Sequence, residues 1–197
     1  MMFLIRKRLS VAFSICWMAV LAGCYPATIY KPVAAGATSP SAACAGLEGY
    51  LFVNRGGLRL AFHATDESGK FFVYISAGKP MSPVQGNLAS PIKTNLSEFV
   101  LLDQNSLERF KPIAYDRLQY RGTVFVRTEV FPVDPAFTFE GRSTNVRIGF
   151  PGEVAERNHL FLLAPKFIIG GISVPIPDIE FIKTTEVRSP ALDCDME

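Results

Sequence analysis

The chain has 197 residues, of which 49% are hydrophobic and 19% are charged, and its formal net charge is +2. Arg6, Lys7 and Arg8 lie in an N-terminal segment without acidic residues, so the remainder carries 17 basic and 18 acidic residues, a net charge of −1. This balance excludes the strong basic field that nucleic-acid-binding proteins present, and no nucleic-acid partner is expected.

The N-terminal segment has the composition of an export signal. Three cations precede an apolar run over residues 9–22, and small residues end it. A charged start, a short apolar run and small residues are typical of a secretory signal peptide. The run is shorter than the roughly 20 apolar residues that span a bilayer. We therefore expect residues 1–23 to be removed on export.

The sequence Leu21-Ala22-Gly23-Cys24 ends this segment and resembles the lipobox of bacterial lipoproteins. The resemblance implies that the Cys24 thiol receives a diacylglyceryl group and that a peptidase cuts between Gly23 and Cys24. The membrane is then a partner through this lipid, because two or three acyl chains bind far more firmly than one. In lipoproteins sorted as in enterobacteria, an Asp directly after the lipidated cysteine retains the protein in the inner membrane. This chain has Tyr25 at that position, so the resemblance favours the outer membrane, with the protein facing the periplasm. The inner membrane and the cell surface remain alternatives.

Export also determines the expected state of the cysteines. Cys16 leaves with the signal peptide and Cys24 carries the lipid, so Cys44 and Cys194 are the pair left for an intramolecular disulfide. The periplasm is oxidising, and a bridge across so long a loop would stabilise the fold by on the order of 5 kcal/mol. The alternative is two unrelated thiols whose Cα atoms lie too far apart to bridge.

The composition divides the exported chain into two parts. Residues 24–45 are rich in Pro, Ala, Ser and Thr, and Lys31 is their only charge, which predicts a flexible tether. Residues 46–197 contain no second linker of that kind, and their number is sufficient for one domain. We therefore expect a single folded domain behind the tether.

Alternating and β-branched stretches predict that this domain is mainly antiparallel β. The stretches "GYLFV", "LRLAFHA" and "KFFVYIS" follow one another with turn sequences at 54–57 and 66–69, which predicts three consecutive strands. Apolar strand-like runs recur as "GTVFVRTEVFPV", "NVRIGF", "HLFLLA" and "IEFIKTTEV", and "KFIIGGISVPI" predicts a buried hairpin. The expected fold is a β-sandwich or a small barrel with one or two short helices. The best helix candidate is 95–110, with Ser97 as its cap.

Local catalytic motifs such as G-x-S-x-G, H-E-x-x-H and C-x-x-C are absent from the sequence. Its only histidines are His63 and His159, and the alternation around His63 indicates a half-exposed strand position. Glu153, Glu156 and His159 recur every three residues and are weak candidates for a metal site, although a polar connecting loop explains them more simply. We therefore expect no catalytic residue, no metal and no cofactor.

These observations favour a membrane-anchored envelope lipoprotein whose β-domain has a binding, assembly or structural role rather than a catalytic one. The expected partner is an envelope protein or a glycan, and sheet edges suit the addition of a partner strand. One alternative is a tethered periplasmic hydrolase with a site assembled in space, which needs a histidine and a carboxylate in a deep pocket. Another is a sugar- or lipid-binding module, which needs an aromatic platform or an open apolar cavity.

Overall fold

The computed structural model describes residues 25–39, 49–56, 58–67, 69–77, 87–121, 124–131, 136–141 and 144–188. These residues are mostly antiparallel β, arranged as a curled half-barrel sheet and a second, smaller sheet, which confirms the predicted fold class. The strands, in chain order, are β1 (Tyr25–Val33), β2 (Tyr50–Arg55), β3 (Leu58–Glu67), β4 (Lys70–Ala77), β5 (Asn87–Asn95), β6 (Val100–Asp103), β7 (Arg109–Phe110), β8 (Ala114–Arg121), β9 (Val124–Phe131), β10 (Ala136–Gly141), β11 (Thr144–Phe150), β12 (His159–Leu163), β13 (Phe167–Ile169), β14 (Ile172–Val174) and β15 (Ile179–Arg188).

Strand pairing joins distant parts of the chain. The larger sheet has the order β7-β6-β12-β15-β1-β3-β4-β11-β8-β9, and β2 pairs with β3 off this path. The smaller sheet has the order β10-β5-β13-β14. The three strands predicted from "GYLFV", "LRLAFHA" and "KFFVYIS" are β2, β3 and β4, which pair in sequence as antiparallel neighbours.

The structure differs from the predicted tether at its start. The composition of residues 24–45 predicts a flexible segment, whereas Tyr25–Val33 forms strand β1 and pairs over nine residues with β15. Ile29 and Tyr30 are buried in this strand, and the Tyr30 hydroxyl donates to the backbone oxygen of Ala155 at 2.8 Å. Prolines at 26 and 32 lower the local strand signal, but pairing with a strand about 150 residues away overrides it.

The 95–110 segment is the second departure from the predicted local structure. Its only helical residues are the 3₁₀-helix Leu96–Glu98, and Asn95 caps it by accepting from the backbone N–H of Ser97 at 3.1 Å. The prediction of Ser97 as the cap is therefore wrong. The rest of the segment forms β6, a turn and β7, because burial of Phe99, Leu101 and Phe110 follows a strand pattern. No described helix is long and apolar enough to span a membrane.

The core lies between the curled sheet and the smaller sheet. Phe71 is at its centre, with ring centroids 4.8 Å from Tyr30, 6.5 Å from Phe150 and 6.4 Å from Phe181. Residues of both sheets belong to one apolar cluster, so the smaller sheet packs against the larger one. The hairpin β13–β14 is only partly buried, because Ile168 and Ile172 are exposed.

Candidate functional site

A row of polar and aromatic side chains crosses five neighbouring strands of the larger sheet at one register. Side chains alternate between the two faces of a strand, and the neighbours of this row, such as Phe62, Val73 and Ile148, belong to the core. The row therefore lies on the face opposite the core. We call it the polar row; from β2 to β8 it consists of Tyr50, His63, Tyr74, Arg147 and Asp116.

Asp116 is the charged end of the polar row. Its Oδ2 accepts from Arg147 Nε at 2.9 Å, from Arg147 Nη2 at 2.6 Å and from Arg127 Nη2 at 3.0 Å. The opposite nitrogen of Arg147, Nη1, donates to Glu67 Oε2 at 3.3 Å, and the Tyr74 hydroxyl donates to Glu67 Oε1 at 2.6 Å. The guanidinium of Arg147 thus bridges two carboxylates and ties β3, β4, β8 and β11 together.

The other end of the polar row is aromatic. The rings of Tyr50 and His63 stack with centroids 4.6 Å apart, and Tyr74 lies 5.9 Å beyond His63. His63 Nδ1 is 2.9 Å from the backbone oxygen of Gly49, which requires Nδ1 to carry the proton. A side chain at position 49 would place its Cβ 2.8 Å from that nitrogen, so glycine is required for this close approach.

The polar row is better suited to holding strands than to proton transfer. Burial raises the pKa of Tyr50 to about 12, and burial together with the bond to Glu67 raises the pKa of Tyr74 above its usual range. Both phenols therefore remain neutral at physiological pH. The carboxylates of Asp116 and Glu67 each accept from a guanidinium, so neither is positioned as a free general base.

The weak metal candidates are not brought together. Glu153 and Glu156 lie in the 3₁₀-helix Gly152–Glu156, whereas His159 begins β12, where its Nδ1 is 2.9 Å from Gln104 Oε1 and 3.8 Å from Glu180 Oε1. Within the ranges that the structure describes, no three His, Cys, Asp or Glu side chains form a group that could hold a metal. The predicted lipid-bearing Cys24 and the predicted disulfide partners Cys44 and Cys194 lie outside the described residues.

The Ser-x-x-Lys motif of some acyl-transfer enzymes is present at Ser76 and Lys79, contrary to the expectation that the sequence lacks it. Ser76 lies within strand β4, opposite Ala61 on one side and Asn145 on the other, and is only 5% exposed. Lys79 lies outside the described residues. Because the Ser76 hydroxyl is shielded from solvent, the spacing does not make it a nucleophile that a substrate can reach.

Asp103 organises the turn between β6 and β7. Its carboxylate accepts from the backbone N–H of Asn105 at 3.0 Å and from the Ser106 hydroxyl at 2.8 Å, and Arg157 Nη1 lies 3.4 Å away. These donors, the Asn105 N–H first among them, hold the pKa of Asp103 below its usual range despite its burial. The backbone N–H of Leu107 donates to the Asp103 backbone oxygen at 2.9 Å and closes the turn.

The lowered pKa of Asp103 predicts a loss of stability in acid. A carboxyl with a depressed folded-state pKa contributes stability fully above its unfolded value of about 3.9, and the contribution is lost as the pH falls through the folded value. In urea unfolding measured from neutral pH down through this range, Asp103→Asn should therefore show a smaller decrease in unfolding free energy than the parent. Asp178→Asn, at an exposed position, should keep the full decrease. Equal acid dependence in the parent and Asp103→Asn would contradict this role.

Strand β9 is the last strand at one edge of the larger sheet as the structure describes it. It has eight residues and pairs with β8 on one side, and no described strand pairs with it on the other. The other strands at sheet ends, β7, β10 and β14, are shorter. Val126, Arg127 and Thr128 are exposed at the middle of β9. A strand of this length that has no partner on one side among the described residues is a template for pairing with another chain.

No family model matches the chain, and the comparisons with curated proteins and with solved structures found no match.

Proposed function

We propose that the chain is a lipid-anchored protein of the bacterial cell envelope whose β-domain binds an extended segment of another envelope protein. The open edge of β9 carries the binding part of this proposal, because an eight-residue strand paired on one side offers main-chain donors and acceptors to an added strand. The match of residues 21–24 to the lipobox supports the anchor, and Tyr25 after Cys24 supports the outer membrane facing the periplasm.

The surroundings of the two histidines also favour binding over hydrolysis. His63 is held between the Tyr50 ring and the Gly49 carbonyl, and His159 contacts Gln104 and Glu180. Each histidine thus has a structural contact that explains its position. A glycan remains the alternative partner, but strand addition requires a polypeptide, and the observed feature is a strand edge.

The proposal predicts that a charge on β9 abolishes partner binding without unfolding the domain. Val126 is 37% exposed, so Val126→Lys should change the free energy of unfolding by less than about 0.5 kcal/mol. A lysine on an edge strand opposes the addition of another strand. The lipidated protein should be cross-linked in its own envelope, purified and compared with the variant by the mass of the adducts. We expect a discrete adduct for the parent and none for Val126→Lys.

Val33→Lys is the matched control. Val33 is 49% exposed, and its strand β1 pairs with β15 along its whole length and with β3 at Tyr30, so the substitution lies in a paired strand away from the β9 edge. The adduct should persist in this variant. Persistence of the adduct in Val126→Lys at normal protein abundance, or its loss in both variants, would contradict binding through the β9 edge.

A further inference from the structure

Two large apolar side chains are exposed in the loops that flank β7. Leu107, in the turn between β6 and β7, is 71% exposed, and Ile113, directly before β8, is 52% exposed. Neither contributes to the core cluster. Two such side chains close together in the sequence, on loops rather than on strands, point to contact with an apolar medium or partner.

The strand directions place both side chains at the end of the larger sheet where β1 begins. Tyr25, which begins β1, pairs with Arg188 at the end of β15. The start of β12 lies beside β15 on its other side, and the end of β6 lies beside the start of β12. The turn with Leu107 follows β6 and therefore lies at this end of the sheet. On the other side of β1, the same end of the sheet is formed by the end of β3 and the start of β4, followed by the end of β11 and the start of β8. Ile113 precedes that start of β8 and donates its backbone N–H to Gly149 at 2.8 Å.

Leu107 is held outward at a conformational cost. Its φ is +60°, a left-handed conformation that glycine and asparagine adopt readily and leucine rarely. The turn enforces this conformation through the Leu107 N–H bond to Asp103 and through the Asp103 N–H bond to the Glu108 carbonyl at 3.0 Å. An exposed leucine in this conformation adds nothing to the buried core, and its side chain is accessible for contact with another surface.

The charges at this end are mixed. Arg109 and Lys111 are exposed next to the two apolar side chains, whereas Glu108 pairs with Arg157 at 3.0 Å. Because no single sign dominates, contact at this end does not depend on an anionic surface. The apolar side chains, rather than the charges, would supply the attraction.

We propose that this end of the sheet rests on the phospholipid bilayer, with Leu107 and Ile113 in its interfacial region. The inference rests on the proposed function, because the acylated Cys24 would directly precede Tyr25 and hold this end, rather than the opposite one, next to the bilayer. Strand β15 extends beyond Ile182, which pairs with His159, as far as Arg188, so the paired ends of β1 and β15 project past the turn that carries Leu107. For Leu107 to reach the bilayer, these projecting ends would lie along the membrane surface rather than stand upright on it.

A tryptophan reporter tests this orientation directly. The only tryptophan of the sequence, Trp17, lies in the signal peptide, so Leu107→Trp gives the mature chain a single emitter. The acylated variant should be reconstituted into vesicles of phosphatidylethanolamine and phosphatidylglycerol. We expect a blue-shifted emission that lipids with brominated acyl chains quench. Vesicles of phosphatidylcholine should give the same shift, because the contact does not depend on anionic lipid.

The matched control is Ile172→Trp, since Ile172 is 70% exposed but belongs to the smaller sheet. It should emit as in water and escape quenching. Water-like emission from Leu107→Trp in a protein shown by intact mass to be acylated would overturn the membrane contact, leave the lipoprotein proposal standing and assign the two side chains to a protein partner. Equal shifts in both variants would also overturn it. If intact mass shows no acyl chain, the proposed function fails. The membrane contact is then tested separately by adding vesicles to the Leu107→Trp protein: a blue shift supports the contact, and an unchanged emission overturns it.

Discussion

Replacing Asp116 with alanine is expected to lower the free energy of unfolding by about 3–5 kcal/mol, the usual result of removing one partner of a buried ion pair. The Asp116 side chain is 3% exposed and accepts three bonds from Arg147 and Arg127, and Arg147 is itself only 16% exposed. Without the carboxylate, the guanidinium of Arg147 keeps its bond to Glu67 and its contacts with Tyr74 and the Phe72 ring, but it loses its buried counter-charge. Urea unfolding followed by far-ultraviolet circular dichroism measures the loss.

Three further variants separate this effect from a general effect of substitution. Asp178→Ala removes an exposed aspartate, and Arg127→Ala removes the arginine whose side chain is 54% exposed; each should cost less than about 1 kcal/mol. Adding Arg147→Met to Asp116→Ala should restore part of the stability, because it removes the unpaired charge. If Asp116→Ala costs no more than Asp178→Ala, the polar row does not hold the strands together.

The sequence predicted those parts of the fold that short stretches specify. Strands β2, β3 and β4 are adjacent in the chain, each alternates or is rich in β-branched and aromatic residues, and turn sequences separate them. Strand β1 was missed because its signal is not local: its partner β15 lies at the other end of the chain, and Pro26 and Pro32 resemble linker composition. Pairing between segments so far apart cannot be inferred from the periodicity of either segment.

The polar row shows the same limit at the level of a site. Alternation around His63 correctly predicted a half-exposed strand position, and His63 and Arg147 both lie on the strand faces away from their apolar neighbours. These two residues share one register with Asp116 because β3, β4, β11 and β8 are neighbours in the sheet. The chain order does not indicate this arrangement, since β8 precedes β11 in the sequence. Asp116 itself lies in "AYDRLQYR", where Tyr115 and Leu118 are buried on opposite faces across a bulge, so no simple alternation marked the strand.

Replacing Cys24 with serine is expected to release the protein from the membrane completely. The proposed diacylglyceryl group is attached to the Cys24 sulfur through a thioether, which a serine hydroxyl cannot form, and two or three acyl chains hold a protein far more firmly than side-chain contacts do. Contacts from Leu107 and Ile113 would allow only weak attachment, which washing should remove. Membranes from cells that make the parent and Cys24→Ser should be separated from the soluble envelope contents and compared by immunoblot. Leu21→Ile, which keeps a branched apolar residue at the first lipobox position, should remain membrane-bound.

The intact mass of the parent protein, purified from its membrane, tests the proposed anchor most directly. We expect a chain that begins at Cys24, with the mass of a diacylglyceryl group and, where the new amino group is acylated, of one further acyl chain; fragmentation should place the added mass on Cys24. A membrane-bound protein that begins at another residue, or one that begins at Cys24 without added mass, would contradict the lipoprotein proposal.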